Sequence, residues 1–213
     1  RHLSGRLDPD ATALVTDASD QPISAGLVDY DPDPDASALD ADELPNRGRI
    51  ACLPARAPFE RLARAKTPEA AQELERRIDE AAAAFDRVLI DTPSLGSNPP
   101  VAAVTAADRV TVVAPATEHG VDAVQTIRGR LQDVGTSADA VIAVDRSGEN
   151  AFPEADADAV LPQFSSDAPA GLGAEAGVAA LAETAEAVFD RPLDLPLAEG
   201  GIVETVASLG ADR

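Results

Sequence analysis

An α/β fold, a mostly parallel sheet with helices on both faces, is what this sequence predicts, and three features carry the expectation. Short apolar runs repeatedly end in Asp or Pro. Stretches with apolar residues three and four apart alternate with them. The runs are apolar at successive positions, as in strands covered on both faces, whereas a sheet with one wet face shows a period of two. Ligands of such sheets bind beyond the carboxyl ends of the strands, so Asp17, Asp91, Pro115 and Asp145 are expected along one functional edge.

Taken in order, Ala13-Leu14-Val15-Thr16-Asp17 reads as the first strand and Ile50-Ala51-Cys52-Leu53-Pro54 as the second. Between them, residues 29–48 carry Asp-Pro-Asp-Pro-Asp and no apolar period, which predicts a solvated excursion. Thr67-Pro68 supplies an N-cap and a proline at the first helical position. Ala71, Leu74, Ile78, Ala81 and Phe85 then recur at helical spacing. That helix runs into a third strand, Val88-Leu89-Ile90-Asp91. Val110–Pro115 and Ala140–Asp145 read as further strands. Val121, Val124, Ile127, Leu131 and Val134 mark a helix opened by Thr117 and closed at Gly135. Val178, Leu181, Ala185 and Val188 mark another, and 149–158 reads as an acidic surface loop.

With 213 residues and 45% hydrophobic, the chain can bury a core, and a single domain over 1–213 is expected. The net charge of −21 opposes any broad contact with phosphate backbones or anionic lipid, so nucleic acid binding is at most local and membrane docking is not expected. Lys66 is the only lysine among 17 basic residues and aromatics make up 3%, a composition that resembles proteins of salt-accumulating haloarchaea. At molar salt the screening length falls to about 3 Å, which tames the self-repulsion. Arg56, Arg61 and Arg64 share one helical stretch and are expected to form a salt-bridged surface. Cys52 is alone, which excludes a disulfide framework and a thiolate metal site. His2 and His119 do not make a metal site either. No apolar run reaches the ~20 residues of a transmembrane helix, and a soluble cytoplasmic protein is expected.

The sharpest local pattern is Phe85-Asp86-Arg87-Val88-Leu89-Ile90-Asp91-Thr92-Pro93, a helix feeding an apolar strand that ends in a carboxylate. An Asp so placed suits a Mg²⁺ held directly or through water in a phosphate-binding α/β protein; it also suits a plain strand end. Downstream lie the small-residue stretch Val101–Val110, then Val112-Val113-Ala114-Pro115-Ala116-Thr117-Glu118, Asp145-Arg146 and Val160-Leu161-Pro162. In this order and spacing the chain resembles the ParA/MinD family of P-loop ATPases, over roughly residues 10–190 and most strongly over 85–135.

The resemblance implies a three-layer P-loop NTPase-like fold, bound ATP and Mg²⁺, a nucleotide-dependent homodimer and a protein cargo or regulator. It implies that Asp17, in Leu14-Val15-Thr16-Asp17-Ala18-Ser19-Asp20, orients water or metal, with Ser19 where a second carboxylate often stands. Asp91 would hold Mg²⁺, directly or through water, and Ser94-Leu95-Gly96-Ser97 would be the second switch. Asp145, Arg146 and Pro162 would border the nucleotide, although Asp145 can only accept from the adenine amino group where the family commonly has Asn. The chain has no glycine-rich GK[ST] loop to wrap phosphates, and Lys66 follows Ala65 beside a helix. The chain opens Arg1-His2-Leu3 and has no methionine. An upstream strand and loop are therefore expected, with Ser4-Gly5-Arg6-Leu7 as the tail of the first helix. The other reading is an adaptor of the same fold that acts through protein contacts and does no chemistry. Ile202–Leu209 is expected as a helix packed on the domain.

Overall fold

The computed structural model describes residues 9–29, 49–55, 58–146, 150–152, 156–163 and 175–192. The expectations for His2, for Arg56, for Ser4–Leu7, for most of 29–48 and for Ile202–Leu209 fall outside them. The chain is a mixed α/β protein whose residues group into two compact units, 1–106 and 107–213.

In the first unit, helix α1 (Ala11–Leu14) is followed by a 3₁₀ turn (Ile23–Ala25), and β1 (Val28–Asp29) pairs antiparallel with β2 (Ala51–Cys52). Helices α2 (Phe59–Arg64), α3 (Pro68–Ala84) and α4 (Asn98–Ala106) follow. Thr67 caps α3 as expected, its hydroxyl accepting from the Ala70 N–H at 3.2 Å with Pro68 at the first position. One face of α3 packs along α4, while Ala81 meets Leu14, Ile23 and the partly buried Leu53 in the apolar centre of the unit. Gly26 lies so close to Leu53 and the Pro9 carbonyl that an added Cβ would sit 2.8 Å from each.

Arg77 on α3 is only 2% exposed. Its guanidinium pairs with Glu73 and Glu80, each at 2.8 Å, and donates to the Ser19 carbonyl at 2.8 Å. A buried charge is tolerable only with partners on this scale, so the 14–23 segment is held to α3 by ionic and backbone contacts together.

Two runs expected as strands are not strands. Ala13–Asp17 straddles α1 and the turns after it, because Asp10 is a helix cap: its carboxylate accepts from the Ala13 N–H at 2.7 Å and the Thr12 hydroxyl at 3.4 Å. Val88-Leu89-Ile90-Asp91 joins neither sheet, and its three apolar side chains are 38%, 71% and 38% exposed. β-propensity is realised only against a partner edge, and no described strand supplies one there.

The second unit follows the sequence closely. Strands β3 (Thr111–Pro115), β4 (Ala140–Val144) and β5 (Ala159–Leu161) form a parallel sheet in that order, with Thr111 opposite Ala140 and Val144 opposite Leu161. Residues 140–143 of β4 are all buried although successive side chains face opposite sides, which explains a run apolar at every position. On the edge strand β3 the burial alternates, with Val112 and Ala114 buried and Val113 63% exposed. Helix α5 (Glu118–Asp133) packs on β3, burying Val124 and Leu131, and ends before Gly135 at φ 79°. Helix α6 (Glu175–Phe189) lies against β5 and β4.

Candidate functional site

The residues expected to act fall in both units, and each is described within its own unit. In the second unit the carboxyl ends of the three strands are knitted by backbone hydrogen bonds. The Ala116 N–H donates to the Val144 carbonyl at 2.9 Å, and the Asp145 N–H to the Leu161 carbonyl at 2.8 Å. The Ala151 N–H reaches the Ala116 carbonyl at 3.1 Å. Asp145 and Pro162 are thereby placed on neighbouring strand ends, both half-buried, with Arg146 exposed beside them.

Helix α5 starts at the same edge. Thr117 caps it by accepting from the Gly120 N–H at 3.1 Å, and a Cβ at Gly120 would fall 1.8 Å from the Pro115 carbonyl oxygen. Only glycine lets the first turn of α5 approach the end of β3 this closely. Phe152, next to Ala151, is buried to 6% exposure, its N–H donating to the Asn150 side-chain oxygen at 3.0 Å. The loop reading of 149–158 misses that anchor, although an aromatic in so acidic a stretch is a usable signal. The edge can present a carboxylate and a positive charge to a polar ligand. Its helix N-terminus adds aligned N–H groups.

The opposite, amino-terminal edge of this sheet holds a groove of about 340 Å³ lined by Arg109, Asp139, Asp158, Glu183, Glu186 and Asp190. Two of its three aspartates complete the ladder: Asp139 accepts from the Val110 N–H and Asp158 from the Val141 N–H, each at 2.7 Å. Sequence reading does not distinguish these structural carboxylates from the ones at the carboxyl edge.

In the first unit, Asp17 stands at the surface among arginines. Its carboxylate meets Arg61 Nε at 3.1 Å and Arg64 Nη2 at 2.9 and 2.8 Å. Arg61 also lies 3.8 Å from the buried Asp10. The expectation of a salt-bridged arginine surface is realised for Arg61 and Arg64. Ser19 is engaged through its carbonyl, which accepts from Arg76 at 2.9 Å and Arg77 at 2.8 Å. Asp91 is exposed and belongs to no ladder.

Mg²⁺ does not fit these residues as they stand. Both oxygens of Asp17 face guanidinium groups, and among the described residues no three His, Cys, Asp or Glu side chains converge. Nor does any described helix have the length and apolarity to cross a membrane. Comparisons of the chain with protein-family models, with curated proteins and with solved structures find no match.

Proposed function

We propose that the chain belongs to a nucleotide-dependent switch of the ParA/MinD type, an ATPase that positions a cargo such as a division protein or chromosome, working as a nucleotide-bound homodimer in the cytoplasm. The observation that supports this reading is the 111–162 segment. A strand closing at Pro115, a Thr117-capped helix, a strand followed by Asp145-Arg146 and a strand followed by Pro162 come in that order, and the three strands are parallel neighbours with their carboxyl ends on one edge. This is the arrangement a three-layer P-loop NTPase-like sheet requires on that side, and ligands of open α/β sheets lie beyond such an edge.

The reading requires a phosphate-binding loop with its lysine, which residues 1–213 do not carry. Intact mass and amino-terminal sequencing of the native protein test for it. Melting in molar KCl tests binding: Mg-ATP at a hundred times its Kd adds about 2.7 kcal/mol of stability. The absence of any shift for the native protein would overturn the proposal.

A second reading is favoured by the pairing of Asp17 with two arginines and by the use of Ser19 through its backbone. It is an adaptor of the same fold that acts by protein contact and hydrolyses nothing. Turnover of ATP that disappears in both Asp17→Ala and Asp91→Ala excludes it.

A further inference from the structure

Helix α2 is attached to the rest of its unit in an unusual way. It is six residues long, none of them buried, and its N-cap Pro58 makes no side-chain capping bond. Its large apolar side chains stay largely outside the buried core, with Phe59 84% and Leu62 41% exposed. An isolated helix of this length is not stable in water, so something other than propensity and apolar burial keeps it formed.

The specific side-chain contacts of its body are ionic. Arg61, the one α2 residue that is half-buried, reaches Asp17 at 3.1 Å and Asp10 at 3.8 Å, and Arg64 grips both oxygens of Asp17. The far end is fixed differently: Ala65 is buried, and the Lys66 carbonyl accepts from the Asn98 side chain at 2.9 Å. One end of α2 is therefore anchored in apolar packing, while the body of the helix is fastened by charges at the surface.

We infer that α2 is an arginine latch that swings about the Ala65–Thr67 turn, and that its closed state holds the Asp17 carboxylate out of use. The Asp17 carboxylate already accepts three guanidinium contacts, one on Oδ1 and two on Oδ2, which offset its charge and fill most of its acceptor sites, so it competes poorly for a divalent cation or a water to be activated. Opening the latch releases Asp17 together with Arg61 and Arg64. The latch stands on the geometry of α2 alone; that the freed Asp17 serves nucleotide chemistry rests on the switch reading above.

Amide hydrogen exchange on the full chain at one fixed salt concentration tests the latch without any nucleotide, so its failure is separate from failure of the ATPase reading. The reporters are the α2 amides, bonded Leu62 to Pro58 and Ala65 to Arg61, against those of α3. In Asp17→Asn, and independently in the double variant Arg61→Gln/Arg64→Gln, the α2 amides are expected to exchange about tenfold faster while α3 is unchanged, as suits the loss of a few surface ion pairs. Leu62→Ala should leave α2 at the wild-type rate. Unchanged α2 exchange in both charge variants, acceleration of α3 in step with α2, or a Leu62→Ala effect as large as that of Asp17→Asn each overturns the proposal.

Discussion

Val88-Leu89-Ile90-Asp91 and Val141-Ile142-Ala143-Val144-Asp145 are spelled in nearly the same residues, yet the first lies exposed outside any ladder and the second lies in the central strand of a sheet. The difference is in what flanks them. β4 has β3 on one side and β5 on the other, and carboxylates of Asp139 and Asp158 satisfy N–H groups where the ladder begins. Around 88–91 the neighbouring groups bond locally, as when Arg87 donates to the carbonyl of Asp86 at 2.6 Å. Apolar content selects what a segment can become. Pairing with a neighbour decides whether it does.

The largest expected effect tests that contrast directly. Ile142 is 1% exposed, and Ile142→Ala is expected to cost about 4 kcal/mol through lost burial and the cavity left behind. Leu89 is 71% exposed, and Leu89→Ala should stay within about 0.5 kcal/mol of wild type. Thermal or denaturant melts of the two variants in molar KCl measure both. A cost at Leu89 approaching that at Ile142 would mean that the 88–91 run is covered in the native protein, and the contrast between the regions would collapse.

The same contrast explains what could be read in advance. β3, α5, β4 and α6 were legible because each carries its own signal: continuous apolar runs, Thr117 as cap, Gly135 at positive φ as stop. So was α3, through Thr67-Pro68. Ala13–Asp17 misleads because a short apolar run fits a helix as well as a strand, and the capping carboxylate of Asp10 decides between them. At the candidate sites, Asp145 and Pro162 were legible as strand ends on one edge. That Asp17 is the partner of Arg61 and Arg64 was not, since those contacts span 44 and 47 residues and leave no local pattern. Phe152 differs, since a lone aromatic in an acidic stretch was a signal to be had.

A smaller effect separates two glycines of one helix. Gly120→Ala places a Cβ 1.8 Å from the Pro115 carbonyl oxygen, so α5 must shift off the end of β3, at a cost of about 3 kcal/mol. Gly129 lies further along α5 with nothing within 4 Å of an added Cβ. Gly129→Ala should therefore stabilise the protein by about 0.5–1 kcal/mol, the ordinary gain of alanine over glycine inside a helix. Equal effects at the two positions would show that α5 does not approach β3 as closely as described.

The smallest effect belongs to the first unit and depends on pH. The Glu80 carboxylate accepts from the Ile23 N–H at 2.8 Å and pairs with Arg77 at 2.8 Å. The Ile23 N–H, foremost, and then the Arg77 charge hold its pKa below the ordinary glutamate value of 4.5, against the opposing pull of partial burial. A carboxylate with a depressed folded pKa adds stability that is fully present above the unfolded value and is lost as pH falls through the folded one. Glu80→Gln should thus be less stable than wild type at neutral pH, and the gap should close on acidification below 4.5. Paired urea titrations across that range read it. Because Glu80 and Arg77 join α3 to the 14–23 segment, the loss should appear first in exchange of the amides of α3 and of that segment. A gap that persists unchanged at low pH would place the anchoring of that segment in neutral packing around Leu14 and Ile23 instead.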